Sequence, residues 1–237
     1  MMNEIQKRLD DIQSCLVKEA INRNKQNLIS EDGTVNLLAV SKGQNHQAIR
    51  TAFMAGQRKF GENYLQEALN KQIELKDLAI EWHFIGPIQS NKTQQIAQNF
   101  SWVHGVDRLK IAERLSDARP ENLAPLQICL QVNISGEASK GGVAPTDLLV
   151  LAKALSGLPR ISLRGLMTIP EPSHDESLQH YQFKQMRELL CDLRQEGFVL
   201  DTLSMGMSND YKIAIQEGAT IVRIGSAIFG ERPVKNK

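Results

Sequence analysis

The feature that most constrains this chain is an alternation. Short strand-like segments, most of them apolar, recur at 35–40, 58–61, 82–85, 101–104, 126–134, 161–166, around Thr202 and Leu203, and at 220–224. Between them lie stretches whose apolar residues recur every three or four positions: 47–56, 62–78, 92–100, 107–117, a segment starting at Thr146 and ending near Ser156, 178–195 and 210–217. A run of four to eight apolar residues is long enough for a buried strand and too short for an independent helix. Strands separated by helices run parallel, with both faces covered. Eight such units point to an α/β fold of the (β/α)8 TIM-barrel type, although an open doubly wound sheet has the same periodicity. Asp107 and Thr146 are the expected N-caps of their helices. Ahead of the first strand, Ile5, Leu9, Ile12, Leu16 and Ala20 mark an extra N-terminal helix over 3–24. The polar stretch 25–33, ending in Ser30-Glu31-Asp32-Gly33, reads as a loop. No linker rich in Ser, Pro or Gly divides the chain, so one domain over 1–237 is expected, with the barrel at about 35–230.

Charge and cysteine usage exclude several classes of function. Lys and Arg total 28 against 27 Asp and Glu, a net charge of +1. That balance lacks the global basic footprint of a nucleic-acid binder. Cys15, Cys129 and Cys191 form no CxxC pair, which suits a reducing compartment. The N-terminus has no apolar signal core and no run reaches the length of a membrane span, so a cytoplasmic protein without a membrane partner is expected. The histidines show no zinc spacing, and GxSxG, Walker A and Rossmann fingerprints are missing.

In a barrel, chemistry collects where the strands end at their C-termini. Lys42 follows the first strand. Such a lysine either faces solvent or projects into the barrel mouth, where desolvation favours the neutral amine that condenses with carbonyl compounds. After strand seven come Ser204-Met205-Gly206-Met207-Ser208, and after strand eight Gly225-Ser226. Hydroxyls and exposed backbone N–H groups on these two loops suit a phosphate, and they are also ordinary turn chemistry. Arg223 lies inside an apolar strand, where it requires either an internal salt bridge or a ligand atom. Glu62 is a candidate partner for a buried cation. Asn63 is a candidate ligand contact or a helix cap, and His83 a core or supporting residue.

Taken together, the segments LLAVSK (37–42), FGENYLQEA (60–68), EWHFIGPIQSNK (81–92), LQVNIS (130–135), LRGLMTIP (163–170), LSMGMSNDYKIAI (203–215) and VRIGSAIFG (222–230) resemble the pyridoxal 5′-phosphate (PLP) homeostasis family. These are single-domain relatives of the alanine racemase N-terminal barrel. The resemblance implies that PLP is the cofactor, held by Lys42 as a Schiff base. It implies that Ser208, Gly225 and Ser226 contact phosphate with Gly206 shaping the loop, and that Arg223 faces the pyridine nitrogen. Asn63 and His83 resemble pocket positions. It further implies a role in intracellular PLP supply, with PLP-dependent enzymes as recipients, a monomer or weak dimer, and little or no turnover. Two arguments support low turnover. An arginine at the ring nitrogen disfavours its protonation and weakens the ring as an electron sink. With the sequence running only to Lys237, soon after the eighth strand, the second domain that supplies a racemase with its other base is not expected.

Two enzymatic alternatives stay open. One is a PLP-dependent racemase or lyase on a small amino acid, drawing its proton-transfer group from Tyr64, His83 or Tyr211. The other is an aldolase-like enzyme using Lys42 on a sugar phosphate. A scaffold with a vestigial pocket is the non-enzymatic alternative. The family often continues its lysine segment as Ser-Lys-Thr-Lys-Pro, whereas this chain has Ser41-Lys42-Gly43-Gln44-Asn45. The second positive charge and the rigid proline are gone, which predicts a looser first loop and puts any accessory cofactor site using that lysine in doubt.

Overall fold

A computed structural model describes residues 3–24, 33–137 and 141–230. Eight parallel strands close on themselves in sequence order: β1 (Asn36–Val40), β2 (Lys59–Glu62), β3 (Glu81–Phe84), β4 (Trp102–Val106), β5 (Leu126–Gln131), β6 (Ile161–Met167), β7 (Thr202–Ser204) and β8 (Ile221–Ile224). The closure is the pairing of β1 with β8, where Leu38 lies beside Arg223 and Ala39 beside Ile224. This settles the architecture as a barrel over the open sheet. Outside the barrel run α1 (Glu4–Asn24), α2 (His46–Met54), α3 (Leu65–Glu74), α4 (Thr93–Asn99), α5 (Leu109–Ala118), α6 (Leu148–Leu155), α7 (Glu176–Gln195), α8 (Tyr211–Gln216) and α9 (Ser226–Phe229).

The alternation of each strand sorts its side chains. One set, including Leu37, Ala39, Phe60, Trp82, Phe84, Val103, Ile128, Leu166, Leu203, Val222 and Ile224, joins the helices' apolar faces in one continuous core. A separate, small apolar cluster of Leu38, Ile85 and Ile221, with Val40 packed against it, belongs to the other face of the sheet. The rest of that inner face is largely polar. α1 covers the outside through Leu9, Ile12, Leu16 and Ala20, packing on α8, α2 and α9. Buried Arg23 ties its end to the barrel, donating to the carbonyls of Ala219 at 2.6 Å and Gly33 at 3.1 Å.

Several expectations about element ends need correction. α5 starts at Leu109 with Arg108 as its N-cap residue, and no side chain caps it, so Asp107 is not the cap. Thr146 lies inside a 3-10 turn, Pro145–Asp147, that leads into α6. The proline supplies the helical φ there, and a hydroxyl cap is not used. β5 stops at Gln131, and the chain beyond it makes a single bridge from Val132 to Val143. The short helix α9 had no counterpart in the periodicity. Most of the polar loop 25–33 and the segment after 230 fall outside the described residues. Among the described residues no helix is long and apolar enough to cross a membrane.

Candidate functional site

At the C-terminal mouth of the barrel, six of the sequence-predicted residues border one cavity of about 470 Å³: Lys42, Asn63, Ser208, Arg223, Gly225 and Ser226. Val40, Ile85 and Ile169 provide apolar wall, and Gln44 also lines it. An amine, a guanidinium, hydroxyls and an amide thus converge on a space of the size that takes a small cofactor.

Lys42 is carried by a loop tied on both sides of it. The carbonyl of Ser41 accepts from Lys71 Nζ at 2.7 Å, and the amide of Gly43 donates to Glu67 Oε1 at 2.6 Å. Lys71 reaches in from α3 and spends its other two protons on Glu62 Oε1 at 2.7 Å and Glu67 Oε1 at 2.6 Å. The Ser41 hydroxyl donates to the same Glu62 oxygen at 2.5 Å. Both Glu62 and Lys71 are buried. Burial pushes the Glu62 carboxyl above its ordinary value, against the pull of Lys71 and Ser41. Glu62 therefore does partner a buried cation, and that cation is Lys71. Gly43 has φ 75°, a left-handed conformation that suits glycine. Asn45, where the family favours proline, caps α2 by accepting from the Ala48 amide at 2.9 Å. Of the substituted residues, Gly43 is anchored to α3 through its amide and Asn45 caps α2.

The loops after β7 and β8 meet across the cavity, with Ser208 Oγ 3.4 Å from Ser226 Oγ. Gly206 has φ 91°, and a Cβ there would lie 2.6 Å from that of Ala214. Its carbonyl accepts from the amide of Arg223 at 2.9 Å, tying the loop after β7 to β8. Asp210 Oδ1 accepts from the Met207 amide at 2.5 Å and closes the turn that presents Ser208. At Gly225 a Cβ would come within 3.1 Å of the Val40 carbonyl, so a side chain would crowd the wall between β8 and β1.

Arg223 is buried beneath the cavity. Nη1 donates to the carbonyl and the hydroxyl of Ser204 at 2.6 and 2.9 Å, and Nη2 donates to the Thr168 carbonyl at 2.8 Å. Guanidinium carries five N–H donors, so these three bonds fix it while leaving donors for a ligand. It forms no ion pair among the described residues, which removes the salt-bridge explanation for a charge in this strand. Burial lowers its pKa to about 10, so it stays cationic at neutral pH. Asn63 Oδ1 is buried and has no hydrogen-bond partner. An unsatisfied amide oxygen of this kind, on a residue lining the cavity, is what a ligand donor would satisfy.

Ser204 and Gly206 support this site from below and behind and do not line the cavity. His83 is placed elsewhere. It lies inside the barrel toward the N-terminal ends of the strands, stacked on Trp102 with ring centroids 5.4 Å apart, and borders a separate basal cavity of about 750 Å³. Tyr64 is exposed at the start of α3, and the Tyr211 hydroxyl turns to Cys15 on α1. None of these three candidates for proton transfer borders the mouth cavity. Sequence reasoning missed Lys71, Glu67 and His104. The i, i+4 spacing of Glu67 and Lys71 was a legible signal, but it is usually a surface pair. His104 stood alone in its motif and carried no signal.

The chain matches the family model for the alanine racemase N-terminal domain over residues 17–233. It is 62% identical over 202 residues to the pyridoxal phosphate homeostasis protein of Pseudomonas aeruginosa, covering 85% of this chain and 86% of that one. The Vibrio cholerae protein of the same description is 55% identical, over 84% of this chain and 86% of its own. Among solved structures, PipY of Synechococcus elongatus with PLP bound superposes with a TM-score of 0.83 at 37% identity, covering 95% of this chain and all of that one. Alanine racemase from Corynebacterium glutamicum, at 18% identity, shares the fold with a TM-score of 0.68 over 63% of its length.

Proposed function

The chain belongs to the pyridoxal phosphate homeostasis protein family, and from that premise we propose that it binds PLP at the mouth of the barrel and serves intracellular PLP supply with little or no turnover of its own. The observation that carries this reading is the convergence of Lys42, Ser208, Ser226 and Arg223 on one cavity beside the unsatisfied oxygen of Asn63. When bound, PLP supplies an aldehyde that condenses with amines and a ring that takes up electrons.

The residues present fit that group. Lys42 Nζ supplies the amine for the aldehyde carbon. The hydroxyls of Ser208 and Ser226 supply phosphate donors, and Gly225 keeps the backbone accessible. Arg223 presents a fixed cation to the ring nitrogen and opposes its protonation, which restrains carbanion chemistry. Val40, Ile85 and Ile169 would give the bound group an apolar wall. Tyr64, His83 and Tyr211 stand away from the cavity, consistent with a holding role. PLP-dependent enzymes are the recipients that such a role implies, and the cytoplasm is the compartment.

Adding PLP to the purified protein should produce an imine absorption band. Borohydride should bleach it and leave a stable adduct that mass analysis places on Lys42. Lys42→Ala should lose both. An identical spectrum from wild type and Lys42→Ala would overturn the covalent assignment. Amino-acid turnover at ordinary enzyme rates by the loaded protein would replace the holding role with a racemase or lyase.

A further inference from the structure

The barrel interior contains a continuous line of hydrogen bonds from its base to the site. Glu81 Oε1 lies 2.8 Å from His83 Nε2, His83 Nδ1 lies 2.9 Å from His104 Nε2, and His104 Nδ1 lies 2.8 Å from Ser204 Oγ. Ser204 Oγ accepts in turn from Arg223 Nη1 at 2.9 Å. The links come from β3, β4, β7 and β8. His83, His104, Ser204 and Arg223 are buried, while Glu81 is part-exposed at the base.

Chemistry fixes the direction of this line. The hydrogen bond from His83, with Lys59 and Arg164 nearby, holds the Glu81 carboxyl below its ordinary value, so it is an anion and only accepts. Burial pushes both imidazoles down, His104 well down, so both are neutral and each has one N–H. His83 must therefore carry its proton on Nε2, and its bare Nδ1 must accept from His104 Nε2–H. That leaves His104 Nδ1 bare, and the Ser204 hydroxyl must donate to it. With its proton committed there, Ser204 Oγ can only accept, and the donor facing it is the guanidinium. One anion at the base thus sets every donor and acceptor up to Arg223.

We propose that Glu81, His83, His104 and Ser204 are positioning residues that orient Arg223 toward the cofactor ring, and that the charge of Glu81 at the barrel base is felt at the mouth through this chain. The proposal rests on the PLP reading for its cofactor end only. Each link polarises the next, so the carboxylate makes Ser204 Oγ a stronger acceptor and tightens its hold on the guanidinium.

Two measurements test it. In the unloaded wild-type protein, 15N spectra of the histidine rings should show His83 and His104 both protonated on Nε2 and bare on Nδ1. Glu81→Gln removes the charge while its amide oxygen can still accept from His83, and it should raise the PLP Kd about three- to tenfold. In a Ser204→Ala background, where the chain is already cut, the same substitution should change the Kd no further. A proton on Nδ1 of either ring, an unchanged Kd in Glu81→Gln, or an equal loss in both backgrounds would overturn the proposal. Failure of the wild type to bind PLP would defeat the functional reading separately, because the ring spectra are recorded without cofactor.

Discussion

Lys71→Met is the sharpest probe of how the lysine loop is held. Lys71 has three donors, and the structure uses all three, on the Ser41 carbonyl, Glu62 and Glu67. Methionine keeps much of the volume and removes the charge. Glu62, with a fully buried side chain, then loses its cation. Breaking one side of a buried ion pair costs about 3–5 kcal/mol. For a chain of this size each kcal/mol lowers Tm by about 2–4 °C, so a fall of about 6–20 °C is expected at pH 8. The pH dependence carries the mechanism. Lys71 lowers the Glu62 pKa in the native protein, and without it burial, opposed only by the Ser41 hydroxyl, raises that pKa further. A carboxyl with a folded pKa above its unfolded value binds more protons when folded, so stability falls as pH rises through that window. The Tm gap between variant and wild type should therefore be small near pH 5 and widen toward pH 8. Thermal unfolding followed by circular dichroism across that range measures it. PLP titration of the same samples should show a weaker imine band, since the Ser41 carbonyl beside Lys42 is released. A Tm within about 2 °C of wild type at pH 8, or a gap that is equally large at pH 5, would refute the reasoning.

Two further outcomes test the walls of the site. Asn63→Leu should leave unfolding unchanged or raise Tm slightly, because Oδ1 of Asn63 has no partner to lose, while weakening PLP binding in titration. Gly206→Val should cost at least about 1–3 kcal/mol in denaturant unfolding and weaken PLP binding with it, because φ 91° disfavours a branched side chain and its Cβ would meet Ala214 at 2.6 Å.

Much of the fold was legible because a (β/α) unit writes both its periods into neighbouring residues. β1 to β8 all overlap segments that read as strands, most of them apolar, and the loops at their C-terminal ends could be read as the site once a barrel was assumed. Lys42, Ser208, Gly225 and Ser226 are legible for the same reason: each sits within a few residues of a strand end, and a strand end has a known address in a barrel. Helix starts were read less well. At Asp107 the cap moved by one residue to Arg108, and at Thr146 a proline had already set the local geometry.

Closure was not written locally, since an open sheet carries the same runs; it exists only in the pairing of β1 with β8, from Asn36 beside Ile221 to Ala39 beside Ile224. The same holds for His83, whose motif placed it in a strand but could not say which end of the barrel its ring occupies. His104 and Ser204 are 100 positions apart, and their hydrogen bond has no trace in either neighbourhood. Lys71 carries in sequence only the i, i+4 spacing to Glu67, and its role at the Ser41 carbonyl and Glu62 arises only once α3 packs against the first loop. Local pattern specifies which face a side chain takes and where a turn must come, because those depend on residues a few positions away. Which buried polar groups satisfy one another depends on strands brought side by side from distant parts of the chain, and there the requirement that each buried donor find an acceptor makes the choice.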